Sequence, residues 1–151
     1  MNALLCGLYL IVTHGDEMPT RSFFPLFKWC GPGNSAEHDE DFGYHWKTDR
    51  CCRNHDKCPE KIRVGSNLGN FTNDDKFTIT KCDCDLMFKE CLKSVNSYIS
   101  SMIGFGFFCV PGMVCYIEES NVTSLTWRKS DYMRVHRYID QDIIFLRHKN
   151  F

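Results

Sequence analysis

Cys51-Cys52-Arg53-Asn54-His55-Asp56-Lys57-Cys58-Pro59 is the stretch that decides the fold. With Thr48-Asp49-Arg50 before it, it reads as a helix. Thr48 suits an N-cap, Asp49 favours the positive first turn, and Pro59 stops the run. Cys51, His55 and Cys58 recur at i, i+4 and i+7, so they share one face.

A second helix is expected over 83–100. Its apolar stripe is Cys84, Met87, Phe88, Cys91, Val95 and Tyr98. In two antiparallel helices, facing residues keep a constant index sum. Cys51 with Cys91 and Cys58 with Cys84 satisfy the same sum. Two disulfides two turns apart are therefore consistent with a stapled pair, although sequence alone does not fix connectivity. The same register puts Asp85 within about one turn of His55 across the interface.

The other segments carry weaker signals. Trp29-Cys30-Gly31-Pro32-Gly33-Asn34 has the Gly and Pro of a tight loop, and residues 59–75 read as an exposed loop. Lys76 to Lys81 alternates as a short strand does. Met102 to Ile117 is apolar but broken by Gly104, Gly106, Pro111 and Gly112, which suits a strand pair with a turn. The expected fold is mainly α with a small β element. It is disulfide-rich, with two antiparallel helices stapled by disulfides plus a cation-binding loop.

Composition narrows the class. A chain of 151 residues holds one ordinary domain, and a net charge of −1 gives no bulk attraction to nucleic acid. Ten cysteines point to an oxidising compartment, where disulfides support a small core. Ala3 to Val12 has the length of a signal-peptide apolar region and is too short for a membrane span. The expected organisation is a signal peptide over 1–15, with a further cut after residue 21. A domain follows over 22–117, then a divergent tail over 118–151. Asn70-Phe71-Thr72 and Asn121-Val122-Thr123 are glycosylation sequons, so Asn70 and Asn121 are expected on exposed loops of a secreted, extracellular protein.

His55, Asp56 and Asp85 form the minimum set for water-based hydrolysis. A histidine base takes a proton from water, and a carboxylate fixes its tautomer and stabilises the imidazolium. A metal ion polarises the carbonyl under attack. Calcium accepts backbone carbonyls readily, and a Gly-rich loop lets several converge. Asp56 would add a carboxylate. His38, His45, His136 and His148 have no comparable neighbours and read as surface residues.

These residues resemble the bee-venom type of secreted phospholipase A2. Trp29-Cys30-Gly31-Pro32-Gly33-Asn34 is similar to its calcium loop. Cys51 to Pro59 is similar to its active-site helix, and Lys81-Cys82-Asp83-Cys84-Asp85 to the start of its second helix. Cys91-Leu92-Lys93 and Cys115-Tyr116 follow in step, so the likeness runs from about Phe24 to Tyr116.

The resemblance implies calcium-dependent hydrolysis of the middle ester of a glycerophospholipid, yielding fatty acid and lysophospholipid. It makes His55 the base and Asp85 its orienter. It assigns calcium to the carbonyls of Trp29, Gly31 and Gly33 and the side chain of Asp56. The Gly31 N–H would serve the oxyanion. It pairs Cys30–Cys52, Cys51–Cys91, Cys58–Cys84 and Cys82–Cys115. The partner is a phospholipid membrane or micelle surface, with no nucleic acid and no transmembrane segment. Phe23, Phe24, Leu26 and Phe27 are candidates for a lipid-touching rim, or for core.

Three departures stand out. Cys109 has no obvious partner and either stays free or links two chains. Phe107 stands near a position where the family often has a Tyr that helps hold the active-site Asp. The tail has no Cys after Cys115. Two other readings compete. One is a weakly active or inactive binding protein on the same scaffold. The other is a zinc domain using Cys51, Cys52, Cys58, Cys82, Cys84 and His55.

Overall fold

Helix α1 (Trp46–Asp56) starts two residues before Thr48, with His45 at the N-cap and no side-chain capping bond. Thr48 is not the cap. It is buried inside the first turn, as is Asp49. The last turn ends on Lys57, whose N–H bonds the Arg53 carbonyl, and Pro59 follows.

These elements belong to a computed structural model that describes residues 26–31, 33–109, 113–118, 132–139, 143–148 and 151. The proposed leader, Phe23, Phe24 and Asn121 lie outside them. Two compact units are present. The first holds the described residues up to Lys57, Met87–Cys109 and Phe151. The second holds Cys58–Leu86 and the described residues from 113 to 148.

Helix α2 (Cys82–Val95) is shorter than expected. Asn96 takes a positive φ of 49° and ends it. Ser97 then caps a third helix, α3 (Tyr98–Phe108). Its side chain accepts the Ser100 N–H, and Ser100 Oγ accepts the Ser97 N–H, a reciprocal capping box. This corrects the strand pair expected over 102–117. Gly104 does not break α3 because packing uses it. A Cβ there would lie 2.4 Å from the ring of Phe151. Only the end of that segment, β5 (Val114–Glu118), is strand.

In the first unit, Phe27, Trp29, Cys30, Cys51, Cys52, Phe88, Leu92 and Phe108 form the core. Cys30–Cys52 and Cys51–Cys91 close within it. Phe27 therefore packs in the core and not on a lipid-facing rim, whereas Leu26 is 43% exposed.

The second unit is built from short strands. β1 (Lys61–Ile62) pairs antiparallel with β4 (Ile79–Thr80). β2 (Asn67–Leu68) pairs antiparallel with β3 (Phe71–Thr72) around a turn at Gly69-Asn70. The loop between β1 and β4 is organised from inside. Asn73 is fully buried and donates from Nδ2 to the carbonyls of Ile62 and Phe77, both at 2.9 Å.

β5 pairs with β7 (Ile143–His148), which pairs in turn with β6 (Tyr132–Ile139), giving the order β5-β7-β6. Strands from the tail region thus share a sheet with β5. Phe145 packs with Ile62, Ile79, Val114 and Tyr116 in this unit's core. Cys58–Cys84 and Cys82–Cys115 close here. Cys109 is also disulfide-bonded. It is not a free thiol. The fold is mainly helical with small antiparallel β pairs. Among the described residues, no helix is long and apolar enough to cross a membrane.

Candidate functional site

The loop before α1 is held from beneath by one side chain. Asp49 is fully buried, and its carboxylate accepts four backbone N–H groups. Oδ1 takes Trp29 at 2.8 Å and Cys30 at 3.1 Å. Oδ2 takes Lys28 and Gly43, both at 2.9 Å. A carboxylate that accepts this many amides has its burial compensated by charge-assisted bonds.

The loop closes above that anchor. The Ser35 N–H bonds the Lys28 carbonyl at 2.8 Å. Gly31 and Gly33 have φ of 134° and 72°, backbone that favours glycine, and a Cβ at either would point into open space. The Trp29 indole is buried and donates to the Asp41 carbonyl at 3.0 Å. The Asp41 carboxylate accepts the Glu37 N–H at 2.9 Å and the Lys28 ammonium at 2.6 Å. The Glu37 N–H, then Lys28, hold the Asp41 carboxyl below its ordinary value.

His55 lies in the last turn of α1 and is half-buried. Its ring stacks on Phe88, with centroids 4.6 Å apart, and meets Phe107 edge-on at 5.0 Å. Phe88 and Phe107 also pack edge to face at 5.2 Å. Two aromatic walls thus limit rotation of the imidazole. Asp56 follows, also half-buried. The end of α1 is tied to the preceding loop by Arg53–Glu40 at 2.8 Å and by Lys57–Asp39.

Asp85 belongs to the other unit, in the first turn of α2, and is 1% exposed. Oδ1 accepts a hydrogen bond from the hydroxyl of Thr80, the last residue of β4. Trp29, Gly31, Gly33, His55 and Asp56 all lie in the first unit. Asn70 is exposed at the β2–β3 turn.

The oxygen donors fit calcium in kind. A loop with two positive-φ glycines and an open face offers backbone carbonyls, and Asp56 offers a carboxylate. The zinc alternative fails on its ligands. Cys51, Cys52, Cys58, Cys82 and Cys84 are all in disulfides, and no described cysteine is free.

Sequence reasoning missed Asp49, Thr80 and the aromatic walls. Asp49 reads as an ordinary first-turn acid. Its spacing to Trp29-Cys30 carries no periodic signal. Thr80 sits in a two-residue strand, too short for alternation to mark its inward face.

The sequence matches the family described as phospholipase A2 over residues 23–119. It is 41% identical over 103 residues to a phospholipase A2 of Xylocopa appendiculata circumvolans, covering 68% of this chain and 58% of that protein. It is 34% identical over 136 residues to one of Apis mellifera, covering 82% of this chain and 81% of that protein. It is 35% identical over 99 residues to a group 3 secretory phospholipase A2 of Homo sapiens, covering 66% of this chain and 19% of that protein. The chain thus spans a little over half of the Xylocopa relative and a small part of the human one. It belongs to the phospholipase A2 family, in its bee-venom (group III) branch.

Proposed function

We propose that this chain is a secreted, calcium-dependent enzyme that hydrolyses the sn-2 ester of glycerophospholipids at a lipid surface. The observation that carries the reading is His55, half-buried at the end of α1 and held between Phe88 and Phe107, on the same helix that anchors a Gly-rich loop through Asp49.

His55 takes a proton from the attacking water and later returns it to the leaving alkoxide. By its likeness to the family, Asp85, whose carboxylate accepts the Thr80 hydroxyl, is the proposed orienter of the His55 tautomer. The carbonyls of Trp29, Gly31 and Gly33 and the carboxylate of Asp56 would hold the cation, and the Gly31 N–H would serve the oxyanion. Calcium, when bound, supplies the positive charge that stabilises the negative oxygen of the tetrahedral intermediate.

Exposed side chains near the loop support lipid contact. Leu26, Tyr44 (79% exposed) and Trp46 (49% exposed) are the residues for it, and Lys47 and Arg50 lie 5.5 and 5.8 Å from the Trp46 ring centroid. Aromatic and basic side chains together suit the interfacial zone of an anionic bilayer. Asn70 is proposed as a glycosylation site. Disulfides and secretory relatives support export.

The test is fatty-acid release from mixed phospholipid vesicles, with calcium and with a chelator, for the native protein and His55→Gln. Calcium-dependent release, lost in the variant, is expected. A second reading, a binding protein with little turnover, draws on Phe107, which has no hydroxyl to donate to a catalytic carboxylate. No release from a folded native protein would favour it.

A further inference from the structure

We infer that Asp49 is a positioning residue that sets the calcium affinity of the Gly-rich loop by fixing the direction of the Trp29 carbonyl. The inference rests on the calcium reading above and deepens it.

The argument starts from the planar trans peptide. The carbonyl of one residue and the N–H of the next point in opposite directions. The Trp29 N–H points to Asp49 at 2.8 Å, so the Lys28 carbonyl must point away. It does, and meets the Ser35 N–H at 2.8 Å. The Cys30 N–H points to the same oxygen at 3.1 Å, so the Trp29 carbonyl also points away from the helix. Trp29 is the first proposed calcium ligand of the loop. Its oxygen is aimed before any ion arrives, and the ordering cost of the loop is met in folding rather than in binding.

The two oxygens divide the work. Oδ1 serves Trp29 and Cys30, while Oδ2 serves Lys28 and Gly43, which draws the 26–28 segment against the start of α1. Asparagine has nearly the same shape but only one accepting oxygen. Its amide nitrogen would face two N–H donors whichever way it turned. Two backbone groups would lose their partner in a buried site, and the loop would shift to regain one.

Calorimetric calcium titration of the native protein, Asp49→Asn and Asp56→Asn, in the absence of lipid, provides the test. Native binding, no binding by Asp56→Asn, and about tenfold or weaker binding by folded Asp49→Asn are the expected results. Native affinity in a folded Asp49→Asn protein would overturn the role of Asp49 and leave the calcium reading intact. No calcium binding by the native protein would overturn both.

If Asp49→Asn does not fold, amide hydrogen exchange on the native protein in chelator decides. Slow exchange at Lys28, Trp29, Cys30 and Gly43 is expected of a loop fixed in advance. Fast exchange there without calcium would overturn the inference.

Discussion

The imidazole of His55 lies 4.6 Å from the ring of Phe88, centroid to centroid, with the planes 22° apart. A stacked wall of this kind orients a base without supplying a proton. Phe88→Leu keeps an apolar side chain but removes the stack. Stability should fall by about 1 kcal/mol and turnover by about tenfold, with KM little changed. Denaturant unfolding and vesicle hydrolysis together check this, and unchanged turnover would show that the stack is only packing.

Thr80 and Asp85 are both buried, and Thr80 donates to Asp85. Thr80→Val preserves the shape and removes the donor. A buried charged acceptor then loses a bond worth about 1.5–3 kcal/mol. Thr80→Ser keeps the hydroxyl and should restore most of the loss. The comparison to make is the melting temperature of the three proteins beside their turnover. A loss in the Ser variant with none in the Val variant would mean that the methyl group, not the hydroxyl, matters.

Cys51–Cys91 closes a separation of 40 residues. Replacing both with Ala should cost about 4 kcal/mol through the entropy of the unfolded chain. Unfolding by guanidinium measures it. A loss under about 1 kcal/mol would mean that the remaining disulfides already restrict the unfolded chain as much.

Acid should loosen the loop. The Glu37 N–H and Lys28 hold the Asp41 carboxyl below 3.8, and the hydrogen bond from Lys57 does the same for Asp39. Their contributions are present above the ordinary carboxylate value and are lost as pH falls through the folded values. Asp41→Asn should therefore lower the melting temperature at neutral pH and narrow its gap to the native protein below about pH 4. A gap that stays constant with pH would remove Asp41 from the acid response.

A Cβ on Gly43 would lie 2.4 Å from the Leu26 carbonyl oxygen, which is backbone and cannot rotate aside. Gly43→Ala should destabilise the protein by about 1–3 kcal/mol and pull the Gly43 N–H away from Asp49. Thermal unfolding in chelator is the readout, and an unchanged melting temperature would mean that the 26–28 segment yields freely.

How much of this was legible depended on range. The helices around Cys51–Cys58 and Cys84–Cys91 announce themselves because a 3.6-residue period is local. So does the common index sum of the two cysteine pairs. Helix α3 was hidden because Gly104 and Gly106 read as breakers, and what makes Gly104 useful is a ring 47 positions away at Phe151. The strands after 118 gain their meaning from pairing with β5, a partner no local pattern names. In the site, His55 and Asp56 were visible as a motif. Asp49 was not, because four backbone amides leave no trace in residue identity.

Asp49 and His55 stand on one helix, about 9 Å apart along its axis at 1.5 Å per residue. Helix α1 thus works as a ruler, with the cradle for the loop at one mark and the base at another. One residue inserted between the marks would swing His55 by about 100° around the axis, because 3.6 residues make a turn. One residue inserted at the exposed Gly69-Asn70 turn would move neither mark. Tolerance to length change in this chain is therefore sharply uneven, and the stretch from Asp49 to His55 is where the spacing itself is under constraint.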